Sequence, residues 1–382
     1  MPEAWSNGKF RVSYGSLGNN TGVSNYQQLN TLTSTKYYIN DQVVSGLTST
    51  KIINESLTWE TTTVLNVGVD LGFFKNRLSI EADYYNRLTE GMIQSTNASM
   101  MIGGLSTPKK NMGSLLNRGA ELNITWADKV KDLRYLINFN ISHNQSLLLS
   151  WNEYLDTGTI WIGMPYNFAY MYHDSGFINQ TWMDTYRGVP QSKFPGDLLL
   201  TDVNGDGQVN RYDMVAYPQY NQDRPTTNYG FNTQLHWKGL SLSMLWQGTY
   251  GRMANWRTSY NNFNFDTTGY APTWDHWNKQ WTYDNRYGEW PRAGGGQATA
   301  NMETTNYWFD DLSYLRLKNL EVAYNLPKKM LKNIGISNVK VYLSGTNLLT
   351  FTKFRGLDPE KSNLNDLYPL NKTYSFGINI TL

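Results

Sequence analysis

Apolar and polar residues alternate along most of this chain, and most plainly between Leu65 and Tyr85. Leu65, Val67, Val69, Leu71 and Phe73 alternate with Asn66, Gly68, Asp70 and Gly72. After a polar turn at Lys75-Asn76-Arg77, Leu78, Ile80, Ala82 and Tyr84 alternate with Ser79, Glu81, Asp83 and Tyr85. A period of two predicts strands with one apolar and one polar face, and two such runs around a tight turn predict an antiparallel hairpin. Each arm approaches the roughly 9–11 residues that a tilted strand needs to cross a bilayer. The polar face carries Asp70, Glu81 and Asp83, which a packed core holds only with partners and a wet lumen accommodates.

The same pattern recurs on both sides. Phe10-Arg11-Val12-Ser13-Tyr14 predicts a first strand, followed by a long polar loop with a small hairpin of its own. Leu122, Ile124 and Trp126 lead through a charged turn at residues 128–132 to Leu133, Tyr135, Ile137, Phe139 and Ile141. A third hairpin turns at Lys238-Gly239, between Tyr229–Trp237 and Leu240–Trp246. A fourth joins Leu315–Tyr324 to Val339–Leu343 through a short helix within 327–337, and Tyr374–Leu382 is the last strand. Roughly ten strands result. Their links alternate between a few residues and long segments such as 150–225 and 252–307, the asymmetry of a transmembrane β-barrel. Loops of that length are usually functional.

Composition narrows the class. The 382 residues carry 33 Lys and Arg against 31 acidic residues, and a net charge of +2 argues against a nucleic-acid or other polyanionic partner. Mean hydropathy is negative and no run of about 18 apolar residues occurs, which excludes a helical membrane protein. The 27 Tyr, 14 Trp and 14 Phe fit aromatic girdles, and fit sugar-stacking platforms equally. There is no cysteine, hence no disulfide framework or thiolate site. The start, Met1-Pro2-Glu3-Ala4-Trp5, has no basic or apolar leader, so an exported protein is expected to be longer than this chain.

Several motifs occur in a fixed order: Leu57-Thr58-Trp59-Glu60-Thr61-Thr62-Thr63, Asp83-Tyr84-Tyr85-Asn86, Asn111-Met112-Gly113-Ser114 and Asn117-Arg118-Gly119-Ala120-Glu121-Leu122. Pro195-Gly196-Asp197, Tyr314-Leu315-Arg316-Leu317-Lys318-Asn319-Leu320, Gly345-Thr346-Asn347-Leu348 and Gly356-Leu357-Asp358-Pro359-Glu360 follow. In these the chain resembles the C-terminal half of the barrel of SusC/RagA-type TonB-dependent outer-membrane transporters of the Bacteroidota, over nearly all its length. The resemblance implies an all-β fold, the last ten or so strands of a 22-stranded barrel with long extracellular loops. Residues 1–382 would be one barrel portion, without signal peptide, plug or the first barrel half. It implies import across the bacterial outer membrane of large nutrients, glycans or oligosaccharides and in some members peptides. The implied partners are a SusD-like surface lipoprotein, TonB acting through the plug, the N-terminal barrel half and outer-membrane lipid. The family usually ends in Phe, whereas this chain ends in Leu382. The competing expectation is a secreted, calcium-bound, glycan-binding β-protein without transport activity.

Candidate chemistry is sparse. Asp202, Asn204 and Asp206 stand at positions 1, 3 and 5 of a calcium-type loop, with Gly207 for the turn, the Gln208 carbonyl at position 7 and Asp213 at position 12. Hard oxygen donors predict a structural Ca²⁺, and the short Asp at position 12 leaves Mg²⁺ as an alternative; a turn cluster without an ion is the plainer reading. Trp256, Trp274, Trp277 and Trp281 in a polar loop are candidates for stacking on a substrate or partner, against simple loop self-packing. Gly377, Ile380 and Leu382 fit a C-terminal barrel-assembly signal. Arg134, Lys318, Asp70 and Glu81 read as solvated charges of a lumen wall. His143, His173, His236 and His276 are scattered, and no nucleophile elbow or phosphate-cradling loop is present, so no enzyme is expected.

Overall fold

The computed structural model describes residues 4–27, 29–96, 105, 107–151, 161–166, 168–180, 194–221, 225–255, 274–292, 301, 303–331, 335–361 and 368–381. Its strands are β1 (Trp5–Asn19), β2 (Leu32–Ile39), β3 (Gln42–Ser49), β4 (Glu60–Phe73), β5 (Leu78–Ser95), β6 (Lys109–Val130) and β7 (Leu133–Trp151). Then come β8 (Phe168–Tyr172), β9 (Asp174–Phe177), β10 (Leu198–Leu200), β11 (Met214–Asn221), β12 (Thr227–Trp237), β13 (Leu240–Tyr250) and β14 (Met253–Asn255). A short helix α1 (Trp274–Lys279) precedes β15 (Phe309–Asp311) and β16 (Tyr314–Asn325). The one-turn α2 (Lys328–Leu331) leads to β17 (Asn338–Thr352) and β18 (Thr373–Thr381).

Ten strands hydrogen-bond in the order β1-β4-β5-β6-β7-β12-β13-β16-β17-β18, so sheet neighbours follow chain order once the strands inside the loops are set aside. By contacts the chain divides into two compact units, Met1–Ile124 with Ser142–Tyr166, and Thr125–Ile141 with Asn167–Leu382.

In the first unit, Phe10 pairs with Val69, Val12 with Val67 and Tyr14 with Leu65, while Val67 pairs with Tyr84 and Val69 with Ala82. One face of these strands is therefore continuous apolar surface. It is not packed inside the protein: Phe10 is 71% and Tyr14 75% exposed, and none of Leu65, Val67, Val69 and Leu71 is buried. The turn between β4 and β5 places Phe74, Lys75 and Asn76 at positive φ. A separate hairpin, β2–β3, turns at Asn40-Asp41 with φ of 49° and 59°, the two-residue geometry that matches strand twist.

In the second unit the same rule holds for β16 to β18. Val341 pairs with Ile378 and Leu343 with Phe376; Leu343, Phe376 and Ile378 are again exposed and Val341 is half-buried. The dry core lies elsewhere, in the long links. Tyr172, Ile178, Leu198, Leu200, Val209, Trp290 and Trp308 pack together, and Ala169, Met171 and Phe309 form a second cluster with Tyr217, Tyr220 and Met253. Small sheets β8–β11, β9–β10 and β14–β15 carry Tyr172, Leu198, Leu200 and the second cluster, while Ile178, Val209, Trp290 and Trp308 come from the segments between; the alternation pattern did not predict these sheets.

Candidate functional site

The polar face opposite the apolar one is built from pairs. Arg11 on β1 reaches across β4 to β5: its Nε and Nη2 donate to Asp70 and its Nη1 and Nη2 to Asp83, at 2.7–3.1 Å. Gly68 lies beneath this fork, where an added Cβ would collide with the Asp83 carboxylate and the guanidinium. Asn123 donates to Glu81 at 3.2 Å and Arg118 to Gln145 at 2.9 Å. Asp70 and Lys318 are half-buried charges with partners, a correction to the solvated reading: the Lys318 ammonium lies 2.5 and 2.7 Å from the two Glu360 oxygens. Glu81 stays exposed, as that reading expects. Arg134 lines a cavity at the short-link end.

The ordered motifs pair with one another. Asn111 donates to the Thr58 carbonyl (2.9 Å) and the Gly91 carbonyl (2.8 Å) and accepts from the Thr58 N–H. Glu60 accepts from the Ile93 N–H at 2.7 Å. Gly119 leaves room for Tyr85, since a Cβ there would meet the Tyr85 hydroxyl and the His143 carbonyl. Arg316 on β16 is 4% exposed. It donates to Asp358 (2.8 Å), to Glu360 (2.6 Å) and to the Thr350 hydroxyl (2.9 Å), tying the loop after β17 to the strand wall. Asp358 also accepts from the Glu360 and Leu370 N–H groups. Burial, the largest influence, pushes the Asp358 carboxyl up; Arg316 and these two N–H groups outweigh it and hold the carboxyl below its ordinary value. Nearby, Arg355 forks onto Asp310 at 2.7–3.0 Å and stacks 5.1 Å from the Trp290 ring.

Pro195-Gly196-Asp197 has a comparable role. Gly196, at φ +89°, lies against the Trp281 ring. The fully buried Asp197 accepts from Arg292 Nε (2.7 Å), Asn301 Nδ2 (2.9 Å) and the Phe194 N–H (2.9 Å). Burial still pushes its carboxyl upward against these partners.

Loop 202–213 has the expected turn. Asp202 accepts from the Gly205 and Gly207 N–H groups, Asn204 from Asp206, and Asp206 from Gln208, all at 2.7–2.8 Å. Asp213 is buried, and its carboxylate takes the N–H groups of Val203, Asn204 and Asn210. It closes the loop as a cap, a role the position-12 reading did not foresee. Among the described residues no three of His, Cys, Asp and Glu are grouped to hold a metal, so any ion here would rest on Asp202, Asp206, Asn204 and carbonyl oxygen.

The tryptophans divide. Trp256 lies outside the described residues. Trp274 and Trp277 on α1 are 80% and 54% exposed, whereas Trp281 is 8% exposed and covers Gly196. At the C-terminus, Tyr342 fills the space over Gly377, its partner across β17–β18, Ile380 is exposed, and Leu382 lies outside the described residues.

An antiparallel sheet of long strands, apolar and uncovered on one face, linked by tight turns at one end and by self-packed loops at the other, defines the wall of a membrane-spanning β-barrel. Residues 4–196 match the family described as TonB dependent receptor-like, beta-barrel, and the chain belongs to that family. It is 29% identical over 410 residues to TonB-dependent receptor P3 of Formosa agariphila, covering 97% of this chain and 39% of that protein. It is 25% identical over 344 residues to TonB-dependent receptor SusC of Bacteroides thetaiotaomicron, covering 87% of this chain and 33% of SusC. Among solved structures, the RagAB peptide importer in its open-open state superposes with a TM-score of 0.77 at 26% identity, covering all of this chain and 41% of that one. The chain therefore spans about two fifths of the length of such relatives.

Proposed function

We propose that this chain is the substrate-side wall of an outer-membrane, TonB-dependent importer of large nutrients, glycans first, working with a SusD-like surface lipoprotein. The observation that carries this reading is the inverted burial: the sheet leaves its apolar face uncovered while the loops hold the packed core. A secreted glycan-binding protein would have buried that face. Exposed Trp274 and Trp277 in a loop support a glycan, since flat aromatic faces stack on sugar rings. The likeness to the RagAB peptide importer supports a peptide as the second reading. TonB would act through a plug supplied by the rest of the receptor. The test is uptake by cells carrying the whole receptor with Trp274→Ala and Trp277→Ala. Oligosaccharide uptake is expected to fall roughly tenfold at limiting concentration, about 1.4 kcal/mol of binding; unchanged oligosaccharide uptake with impaired peptide uptake would select the peptide reading.

Loop 202–213 is proposed to take a Ca²⁺ on Asp202, Asn204, Asp206 and the Gln208 carbonyl, with Asp213 as the cap. With two carboxylates in the set, affinity is expected at about 10⁻⁴–10⁻³ M. Calorimetry with the whole receptor tests it: a Ca²⁺ heat abolished by Asp206→Ala is the expected result, and no heat in the unaltered protein removes the ion.

A further inference from the structure

The turns Lys131-Asp132, between β6 and β7, and Lys238-Gly239, between β12 and β13, stand next to each other at the short-link end of the sheet. Lys238 and Asp132 bridge them at 3.7 Å. Between them opens a cavity of about 540 Å³. Lys129, Lys131, Arg134 and Lys238 line it against one carboxylate, Asp132, so its wall is strongly cationic in a chain whose overall charge is nearly balanced.

The wall is not uniform. Trp237 and Leu240 also line the cavity, face each other across the hairpin, and are 52% and 41% exposed. They belong to the apolar face, in line with the Leu235–Leu242 pair. The Lys238 ammonium lies 5.5 Å from the centre of the Trp237 ring, joining the charged part of the wall to the apolar part. The cavity thus straddles the boundary between the lipid-facing surface and the rim. A free anion would need only the cations, and a water-soluble acidic segment would have no use for a floor continuous with the membrane face. An amphiphile with an anionic head matches both halves.

We propose that this cavity binds the head group of an anionic phospholipid from the leaflet at the short-link side, with the acyl chains running along Trp237 and Leu240. The proposal rests on the membrane-spanning reading above. Its test uses the whole receptor in phosphatidylcholine nanodiscs containing about one tenth phosphatidylglycerol, with bound lipid counted by native mass spectrometry. The variant Lys129→Gln, Lys131→Asn, Lys238→Asn removes three cations; Asn suits the positive φ of Lys131 and Lys238. Phosphatidylglycerol retention is expected to fall roughly a hundredfold at low salt. It should stay unchanged when Lys36, Lys51 and Lys353, near the long loops, become Gln. Equal retention in the rim variant, or an equal loss in the long-loop variant, overturns the proposal. Full displacement of the lipid by 10 mM inorganic phosphate (about ten times a millimolar site's need) assigns the cavity to a free anion and overturns it too. Failure of the unaltered receptor to insert into the bilayer is a separate outcome, and it sinks the membrane reading itself.

Discussion

Arg316 anchors the loop after β17 through two carboxylates. It is buried, and replacing it by Gln strands Asp358 and Glu360 without their guanidinium partner, which costs roughly 3–5 kcal/mol for a buried pair. Arg316→Gln is expected to lower the thermal midpoint of the detergent-solubilised receptor and to raise hydrogen exchange at 354–361; an unchanged midpoint would contradict the clamp. Acid should loosen the same contact. The Asp358 carboxyl sits below 3.8 when folded, so its contribution is complete above about pH 4 and is lost as pH falls through the folded value. The protection of 354–361, exchange relative to the intrinsic amide rate at each pH, should therefore hold steady from pH 7 to pH 5 and fall only in stronger acid. At Gly196, Ala would be strained at φ +89° and would push on Trp281, so Gly196→Ala should increase exchange at 194–200. The residue types of these motifs were visible in the sequence, but their pairings were not. Arg316 and Asp358 are 42 positions apart, and nothing in local spacing says that one loop folds back onto that strand.

At the scale of elements, the four hairpins and the last strand were legible because a half-exposed strand must alternate. Their lengths were read short. β6 runs for 22 residues, on the order of 70 Å at about 3.3 Å per residue, well beyond what a bilayer needs. Alternation is enforced by lipid on one side and water on the other, so it fades where the strand emerges and both faces are wet. The small strands β8, β10 and β15 escaped for the opposite reason: buried on more than one side, they carry runs such as Phe168-Ala169-Tyr170-Met171-Tyr172 with no period. The last strand carries its own prediction. Gly377 makes space for Tyr342 across β17–β18, so Gly377→Val should displace that ring and lower the amount of receptor assembled in the outer membrane several-fold, with Gly377→Ala between. Assembly at the normal level in Gly377→Val would remove the glycine from the signal.

For the molecule as a whole, the placement of apolar surface decides the class. Phe10, Val12 and Tyr14 on β1, and Phe376, Ile378 and Ile380 on β18, are exposed, while Ile178, Leu198 and Trp308 in the loops are dry. A water-soluble protein with that distribution would aggregate through its faces; in a bilayer it is at rest. Single cysteines make this directly measurable: the chain itself contains none, and any in the rest of the receptor would first be replaced. Spin labels at Val12, Val67 and Ile378, and at the polar-face positions Ser13, Asn66 and Asn379, would be placed one at a time in the whole receptor in lipid. Collisions with oxygen, which concentrates in hydrocarbon, and with a water-soluble nickel chelate would then be compared. The account predicts oxygen access at the first three and chelate access at the second three, switching from one residue to the next. Equal access at neighbouring positions, or the reverse assignment, would contradict it.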